Sequence, residues 1–449
     1  MISNSNDQLI VFNEVKINWI VKSISSFKFS IYKNGIKYLP LNENNVDQNL
    51  INFNDLNLNM KYKSIQLYDV AIYNICNDLG IFKDELSLEV HIDTVKKWFS
   101  RAINTIDYLE KAFEENDVAG ALIFHGHLLF DACLLEFCRT RQTKFLTLEL
   151  TANKNKIVWD NISGFVVTYN LSKNFFDKYI YTLDENLVNE YVKNYIENIH
   201  SVKREEHSSN TQLQNQLKTD KPYILFLGQV YNDASQLFTI ENDIGNPVNI
   251  IYKLEEILNR ANLSLVVKLH PKEINGRNPV TQKLYDNPTY SRIAKNIKSN
   301  NIHIDSVNQY DTFQLIKNSK AVVTLNSQAG LEASLFNKPI FCYYKGFYSN
   351  LGFTNDYSNL EELESKLLEF INDDKAIKNE LYAKGFFYIF FEKYCFELNE
   401  LNLINKVIEI FNLKTKKRNK LLVFYKKQTQ YFKYQLFKFT CKARKMIKK

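Results

Sequence analysis

Glycine and proline are scarce in this chain, at 12 and 7 of 449 residues. Collagen-like repeats and flexible low-complexity character are therefore excluded. No uninterrupted apolar run reaches the ~18 residues that a spanning helix needs. The six cysteines, at 76, 133, 138, 342, 395 and 441, form no C-x-x-C pair. No disulfide framework is expected, and a reducing cytoplasm is the natural compartment. The opening residues, MISNSNDQLIVFNEVK, lack the basic and then apolar regions of a secretory signal. D-x-D, Walker A and G-x-G-x-x-G are also missing. Their absence removes the usual handles for a metal-held diphosphate, for ATP and for NAD.

What is present is a globular composition, 45% hydrophobic and 24% charged, at a length that predicts two domains with appendages. The net charge of +7 has two sources. From Lys414 to Lys449 there are 14 Lys/Arg and no Asp/Glu, which leaves 43 basic against 50 acidic residues in the rest. A mildly acidic globule carries a basic tail.

Residues 1–60 read as a β-rich start, with a hairpin at Asn34-Gly35 in FKFSIYKNGIKYLPL. Residues 62–118 are helical in pattern. AGALIF, KFLTLEL and SGFVVTYN then read as strands, with HLLFDACLLEFCRTR as a helix and a long helix over 171–200. Residues 201–221 lose all apolar periodicity and predict a linker. The rhythm resumes with YILFLG, LSLVVKL, NIHI, AVVTLN and PIFCYY as strands separated by helices. Such alternation predicts an α/β domain, doubly wound around a parallel sheet. The expected division is 1–205, a linker at 206–221, a nucleotide-binding Rossmann-like domain at 222–375, helices at 376–412 and the tail at 413–449.

Ligands of open α/β sheets bind beyond the carboxyl ends of the strands. YILFLG runs into Gln229, Asp233 and Gln236, LSLVVKL into His270, Pro271 and Lys272, and AVVTLN into Asn326, Ser327 and Gly330. Ser327 and Gly330 open a helix whose unpaired N–H groups attract phosphate, with Glu332 placed to accept from sugar hydroxyls. An ordinary serine N-cap followed by glutamate gives the same pattern. Lys268, His270 and Lys272 put donors beside that loop, where they would stabilise charge on a departing phosphate. Pro271 also explains the end of the strand with no ligand at all. Asp233 is either a nucleophile or base, or a turn-forming cap. His125-x-His127 with Cys133 and Cys138 has only a loose likeness to a zinc site, and no metal is expected.

The ordered segments GQVYNDASQ, KLHPKE, LNSQAGLEASLFNKP and YKGFYSNLGFTND resemble the bacterial capsule polysaccharide biosynthesis proteins, and more narrowly their retaining β-Kdo transferases. The likeness covers 221–358, with a weaker match in IFHGHLLFDACLLEFCRTRQTKFLTLEL. It implies a GT-B-like α/β fold of two Rossmann-like domains facing a cleft, with a helical carboxyl-terminal extension. It also implies a glycosyltransferase with CMP-Kdo as donor and neither cofactor nor metal. In that reading His270 and Ser327 hold the CMP phosphate, Glu332 lies on the ribose side and Asp233 is the nucleophile. Glu149, ending KFLTLEL, would face the cleft as a general base or acceptor ligand; a salt-bridged strand end is the other reading. The chain departs from the family pattern at Asp233-Ala234-Ser235-Gln236, His125-Gly126 and Phe353. Another CMP- or CDP-activated donor (sialic acid or a polyol phosphate) and a non-catalytic capsule-assembly scaffold are the alternatives.

In the tail, Leu421, Tyr425, Phe432, Leu436 and Phe439 form an apolar helical stripe among lysines. That pattern predicts a peripheral binder of an anionic membrane surface, on the inner face of the cytoplasmic membrane. The acidic body and the lack of a reader motif argue against nucleic acid. The expected partners are a nucleotide sugar and a lipid-linked or polymeric glycan.

Overall fold

The computed structural model describes residues 10–13, 37–40, 51, 56–115, 118, 120–151, 156–164, 170–207, 217, 219–240, 243–297 and 299–411. The chain forms two compact units: Met1–Asn45 with Phe113–Asp117 and Leu403–Lys449, and Val46–Ala112 with Val118–Asn402. In the first, β1 (Ile10–Asn13) and β2 (Lys37–Pro40) pair in parallel. The expected Asn34-Gly35 turn lies outside the described residues, and the strand after it is paired with Ile10–Asn13. The tail at 413–449 lies outside them too.

The second unit begins with a hairpin, β3 (Lys61–Tyr62) and β4 (Ile65–Gln66), turning through Lys63 and Ser64 at positive φ. Helix Leu67–Leu79 follows directly. β5 (Ala121–Phe124) and β6 (Phe145–Leu150) are parallel, and β7 (Lys156–Asp160) runs antiparallel to β6. The expected SGFVVTYN strand falls mostly on residues outside the described set, and KIVWD is a strand that was not expected. The expected helix at 171–200 is two helices, Asn170–Tyr179 and Glu185–His207. Asp184 Oδ1 accepts from the N–H groups of Asn186 and Leu187, an N-cap that starts the second one afresh. That helix runs through His207, seven residues into the 201–221 stretch read as a linker and two into the bounds 206–221.

The larger sheet contains β8 (Tyr223–Leu227), β9 (Ser264–Lys268), β10 (Ile302–Asp305), β11 (Ala321–Thr324), β12 (Ile340–Tyr343) and β13 (Asn355–Tyr357). All pairings are parallel, in the order β10-β9-β8-β11-β12-β13. Taken in chain order this is 3-2-1-4-5-6, the Rossmann arrangement, whose direction reverses between β8 and β11. β8, β9, β11 and β12 are buried along their whole length, which is why their sequences are runs of aliphatic and aromatic residues rather than alternating ones. Ile250, Ile251 and Leu254 of helix Pro247–Arg260, and Leu363, Leu367 and Phe370 of helix Leu360–Asp373, join the core formed with Phe226, Val267, Val323 and Phe341.

The chain then returns to the smaller sheet. β14 (Phe396–Glu397) pairs antiparallel with β7. Trp159 Nε1 donates to Tyr394 O at 2.8 Å, and the Tyr394 hydroxyl donates to Trp159 O. Helix Glu380–Tyr388 packs against Glu185–His207. Helix Glu380–Tyr388 also packs against Gln328–Ser334, so this part of the segment expected at 376–412 touches both halves. The described residues thus form a six-stranded all-parallel sheet, a four-stranded mixed sheet and two two-stranded pairs, in an α/β arrangement. No helix among the described residues is long and apolar enough to cross a membrane.

Candidate active site

The reversal point between β8 and β11 is braced by buried amides. Gln229 Oε1 accepts from Asn326 N at 2.8 Å, and Gln229 Nε2 donates to Ser235 Oγ at 3.0 Å. Ser235 Oγ in turn donates to Asp233 Oδ1 at 2.6 Å, and Ser235 N reaches the same oxygen at 2.9 Å. Asn326 Oδ1 accepts from Phe347 N at 2.8 Å. The chain Asn326–Gln229–Ser235–Asp233 links the ends of two adjacent strands. Asp233 is thus an N-cap for the turn Ala234–Thr239. Both cap bonds fall on Oδ1, and Oδ2 accepts none among the described residues. A carboxylate fixed through one oxygen with the other open suits a nucleophile. Gln236 beside it is 3% exposed, with neither amide atom hydrogen-bonded.

His270 caps the short helix Pro271–Asn275, Nδ1 accepting from Lys272 N at 3.1 Å. An Nδ1 that accepts leaves the proton of the neutral ring on Nε2, so His270 is a donor at that atom. Ser327 Oγ accepts from Ala329 N at 3.3 Å, capping the two-turn helix Gln328–Ser334. At Gly330 a Cβ would lie 2.2 Å from Tyr348 Oη and 2.6 Å from Thr324 Cγ2. Its glycine is required by the packing of Tyr348, a role the sequence reading did not give it.

Two expected ligands are bound within the protein. Lys268 is 4% exposed and its ammonium donates to Asp305 Oδ2 (2.5 Å), Asn308 Oδ1 (2.6 Å) and Tyr310 O (2.9 Å). Its three protons are all used, so it is a structural cation and not a phosphate donor. Lys268→Met should cost about 3–5 kcal/mol in chemical denaturation by stranding Asp305. It should leave nucleotide affinity close to wild type, whereas loss of affinity at unchanged stability would restore the ligand role. Glu332 is 1% exposed, and its Oε1 accepts from Tyr195 Oη at 2.8 Å and Gln328 Nε2 at 3.4 Å. It fastens helix Glu185–His207 to the larger sheet's side of the molecule, in place of the ribose contact expected of it.

The smaller half brings its own groups to the same region. Helix Leu67–Leu79 packs against helix Leu129–Thr140 and against Ala234–Thr239, Tyr73 lying in a cluster with Ala234 and Leu237. Burial first, and then Tyr285, Asp233, Glu149 and Tyr231, push the Tyr73 phenol well above its usual value. Asp233 of one half and Glu149 of the other therefore act on one side chain. The Tyr73 and His127 rings are 4.5 Å apart, His127 and His125 are 5.2 Å apart, and His125 Nδ1 is 3.5 Å from Glu149 Oε1. Burial, with help from His125 and Lys272, pushes the His127 imidazole well below its usual value. Lys272 is thus close enough to act across the two halves. Nothing in the local pattern marks Tyr73, one aromatic on a helix face.

No three His, Cys, Asp or Glu side chains gather as a metal would require among the described residues. Cys133 and Cys138 are buried, and burial pushes the Cys138 thiol up to about 12, so neither pairs with the histidines as a thiolate ligand.

The segment 165–389, half of the chain, matches the family model described as capsule polysaccharide biosynthesis protein. Over 137 residues the chain is 31% identical to the capsule polysaccharide export protein KpsS of Escherichia coli, a match covering 30% of this chain. It spans about a third of that relative's length (33%). Two solved structures from Thermosulfurimonas dismutans are also similar. The KpsC β-Kdo 2,4 transferase is 16% identical, with a TM-score of 0.43 over 64% of this chain and 86% of that one. The KpsC β-Kdo 2,7 transferase is 19% identical, with a TM-score of 0.40 over 74% and 98%. The matched segment contains the β8–β11 reversal with Gln229, Asp233, His270 and Ser327, and with it the chain belongs to the capsule polysaccharide biosynthesis family.

Proposed function

We propose that this protein is a GT-B glycosyltransferase that transfers Kdo from CMP-Kdo, with retention, onto a capsule or lipopolysaccharide glycan or its lipid. The observation that carries this reading is the bridge Asn326–Gln229–Ser235–Asp233. It fixes one carboxylate at the point of a Rossmann sheet where nucleotides bind. His270, with its proton on Nε2, and Lys272 supply positive or donor groups for the departing phosphate. In the first step an Asp233 oxygen bonds to the anomeric carbon as the bond to the CMP phosphate breaks, and the phosphate takes the electron pair. In the second an acceptor oxygen displaces Asp233, with Glu149 as base. No metal takes part in this scheme. The basic run from Lys414 onward supports residence at the inner surface of the cytoplasmic membrane, where a lipid-linked acceptor would be met.

Thermal shift with CMP, CDP and UDP tests the donor class. CMP at 100 times its Kd should add about 2.7 kcal/mol of stability. Stabilisation by CDP in preference to CMP would move the assignment to a polyol phosphate donor. No response to any nucleotide would leave a scaffold with the fold alone.

A further inference from the structure

The turn that ends β5 is strained. His125 has φ +61° and Gly126 φ +81°, and Gly126 N donates back to Phe124 O at 2.6 Å. A three-residue turn with positive φ at a non-glycine centre is uncommon, and persists only where the surroundings enforce it. Here they do so from two directions. His125 N donates to Leu148 O at 3.0 Å, which continues the β5–β6 pairing past the strand end. Its ring lies between His127 and the Glu149 carboxylate.

We propose that His125 is a positioning residue for the transfer step: its imidazole, held beside Glu149 by the strained turn, orients that carboxylate to take the proton of an acceptor hydroxyl. This rests on the transferase reading above. In the step, the acceptor oxygen bonds to the anomeric carbon and the bond from that carbon to Asp233 breaks. The electron pair returns to Asp233, and the hydroxyl proton passes to Glu149. Glu149 is built for one-sided engagement. Its Oε1 is 3.5 Å from His125 Nδ1, a charge contact without a hydrogen bond, and Oε2 is buried and accepts no hydrogen bond. A buried carboxylate oxygen without a donor is costly unless a ligand supplies one.

The charge around the ring is mixed. Burial works against the imidazolium, but Glu149 on β6 and Asp131 on helix Leu129–Thr140 outweigh it, while Lys272 from the larger half opposes them. The net effect raises His125 above the ordinary imidazole value. His127 alongside is neutral, and Tyr73 beyond it remains a phenol. The ordering of Glu149 by this charge therefore lasts while His125 is protonated and is lost as pH rises through the raised value of His125.

The test uses the full chain and two substitutions. Asparagine tolerates the left-handed backbone, so H125N keeps the turn and removes only the titrating ring. Histidine ring-proton NMR of the wild type and Glu149→Gln should show the His125 midpoint fall by about one unit on loss of the carboxylate. An unchanged midpoint overturns the pairing. With CMP-Kdo and a Kdo-primed glycolipid, H125N should lower kcat on the order of 10- to 100-fold with KM for the donor unchanged. It should also lack the wild type's decline at alkaline pH, and a pH profile identical to wild type overturns the role. Wild type that fails to turn over CMP-Kdo, yet shows the coupled NMR titration, overturns the transferase reading and the role resting on it, and leaves the ion pair standing.

Discussion

Asp233→Asn abolishes sugar transfer, with turnover falling on the order of 10⁴–10⁶-fold, and leaves CMP binding intact. The reasoning starts from the cap. Asp233 Oδ1 accepts from both the N–H and the hydroxyl of Ser235, and an asparagine oxygen can accept from both in the same geometry. The turn Ala234–Thr239 and the Gln229 bridge behind it therefore keep their geometry. What is lost is the negative charge that attacks the anomeric carbon. Asp233→Ala gives the contrast, because it also removes the cap and should cost about 1 kcal/mol of stability. Calorimetric CMP titration of Asp233→Asn decides between roles. Loss of nucleotide binding together with transfer would make Asp233 structural.

His270→Ala lowers kcat by roughly 10²–10³, the scale of one preorganised donor removed from developing charge. Here too the side chain has two duties, and a second variant separates them. Nδ1 caps Pro271–Asn275 by accepting from Lys272 N, and Nε2 carries the proton. His270→Asn can restore the cap but cannot present a donor in the same place, so it should recover stability without recovering turnover. A His270→Ala enzyme with full turnover and an intact fold would remove His270 from the reaction.

Much of the larger half was legible in the sequence because its strands are buried on both faces. YILFL, SLVVK, AVVT and IFCY are continuous apolar runs, and the polar residues that end them mark the site edge. Gln229, Asp233 and Asn326 were found that way, and the structure joins them by hydrogen bonds. What sequence position could not reveal was the direction of each side chain. Lys268 and His270 are two residues apart, yet Lys268 points into the sheet's own ion pair with Asp305, its register partner on β10. Glu332 sits where a ribose ligand would sit, yet is taken by Tyr195, 137 residues away. The strands β7, β13 and β14 were missed, the last two for a related reason. β13 and β14 are three and two residues long, and β14 reaches its partner β7 across more than 200 residues, so local pattern carries no trace of these two. Tyr73, His125 and His127 reach the site from a helix and a turn whose approach to Asp233 is entirely tertiary.

The return of Phe396–Glu397 to the edge of β7, locked by the Trp159–Tyr394 exchange, has a consequence for dissection. A fragment ending in the polar stretch after His207 would keep three strands of its sheet but expose the unprotected rim of β7, with the Trp159 indole deprived of its acceptor. The complementary fragment would keep Phe386 and Phe390 against Phe347 but strip the aromatic segment Phe386 to Tyr394 of Trp159, Phe175 and Phe176. Neither piece is a natural folding unit, and the two halves are to be expressed as one polypeptide.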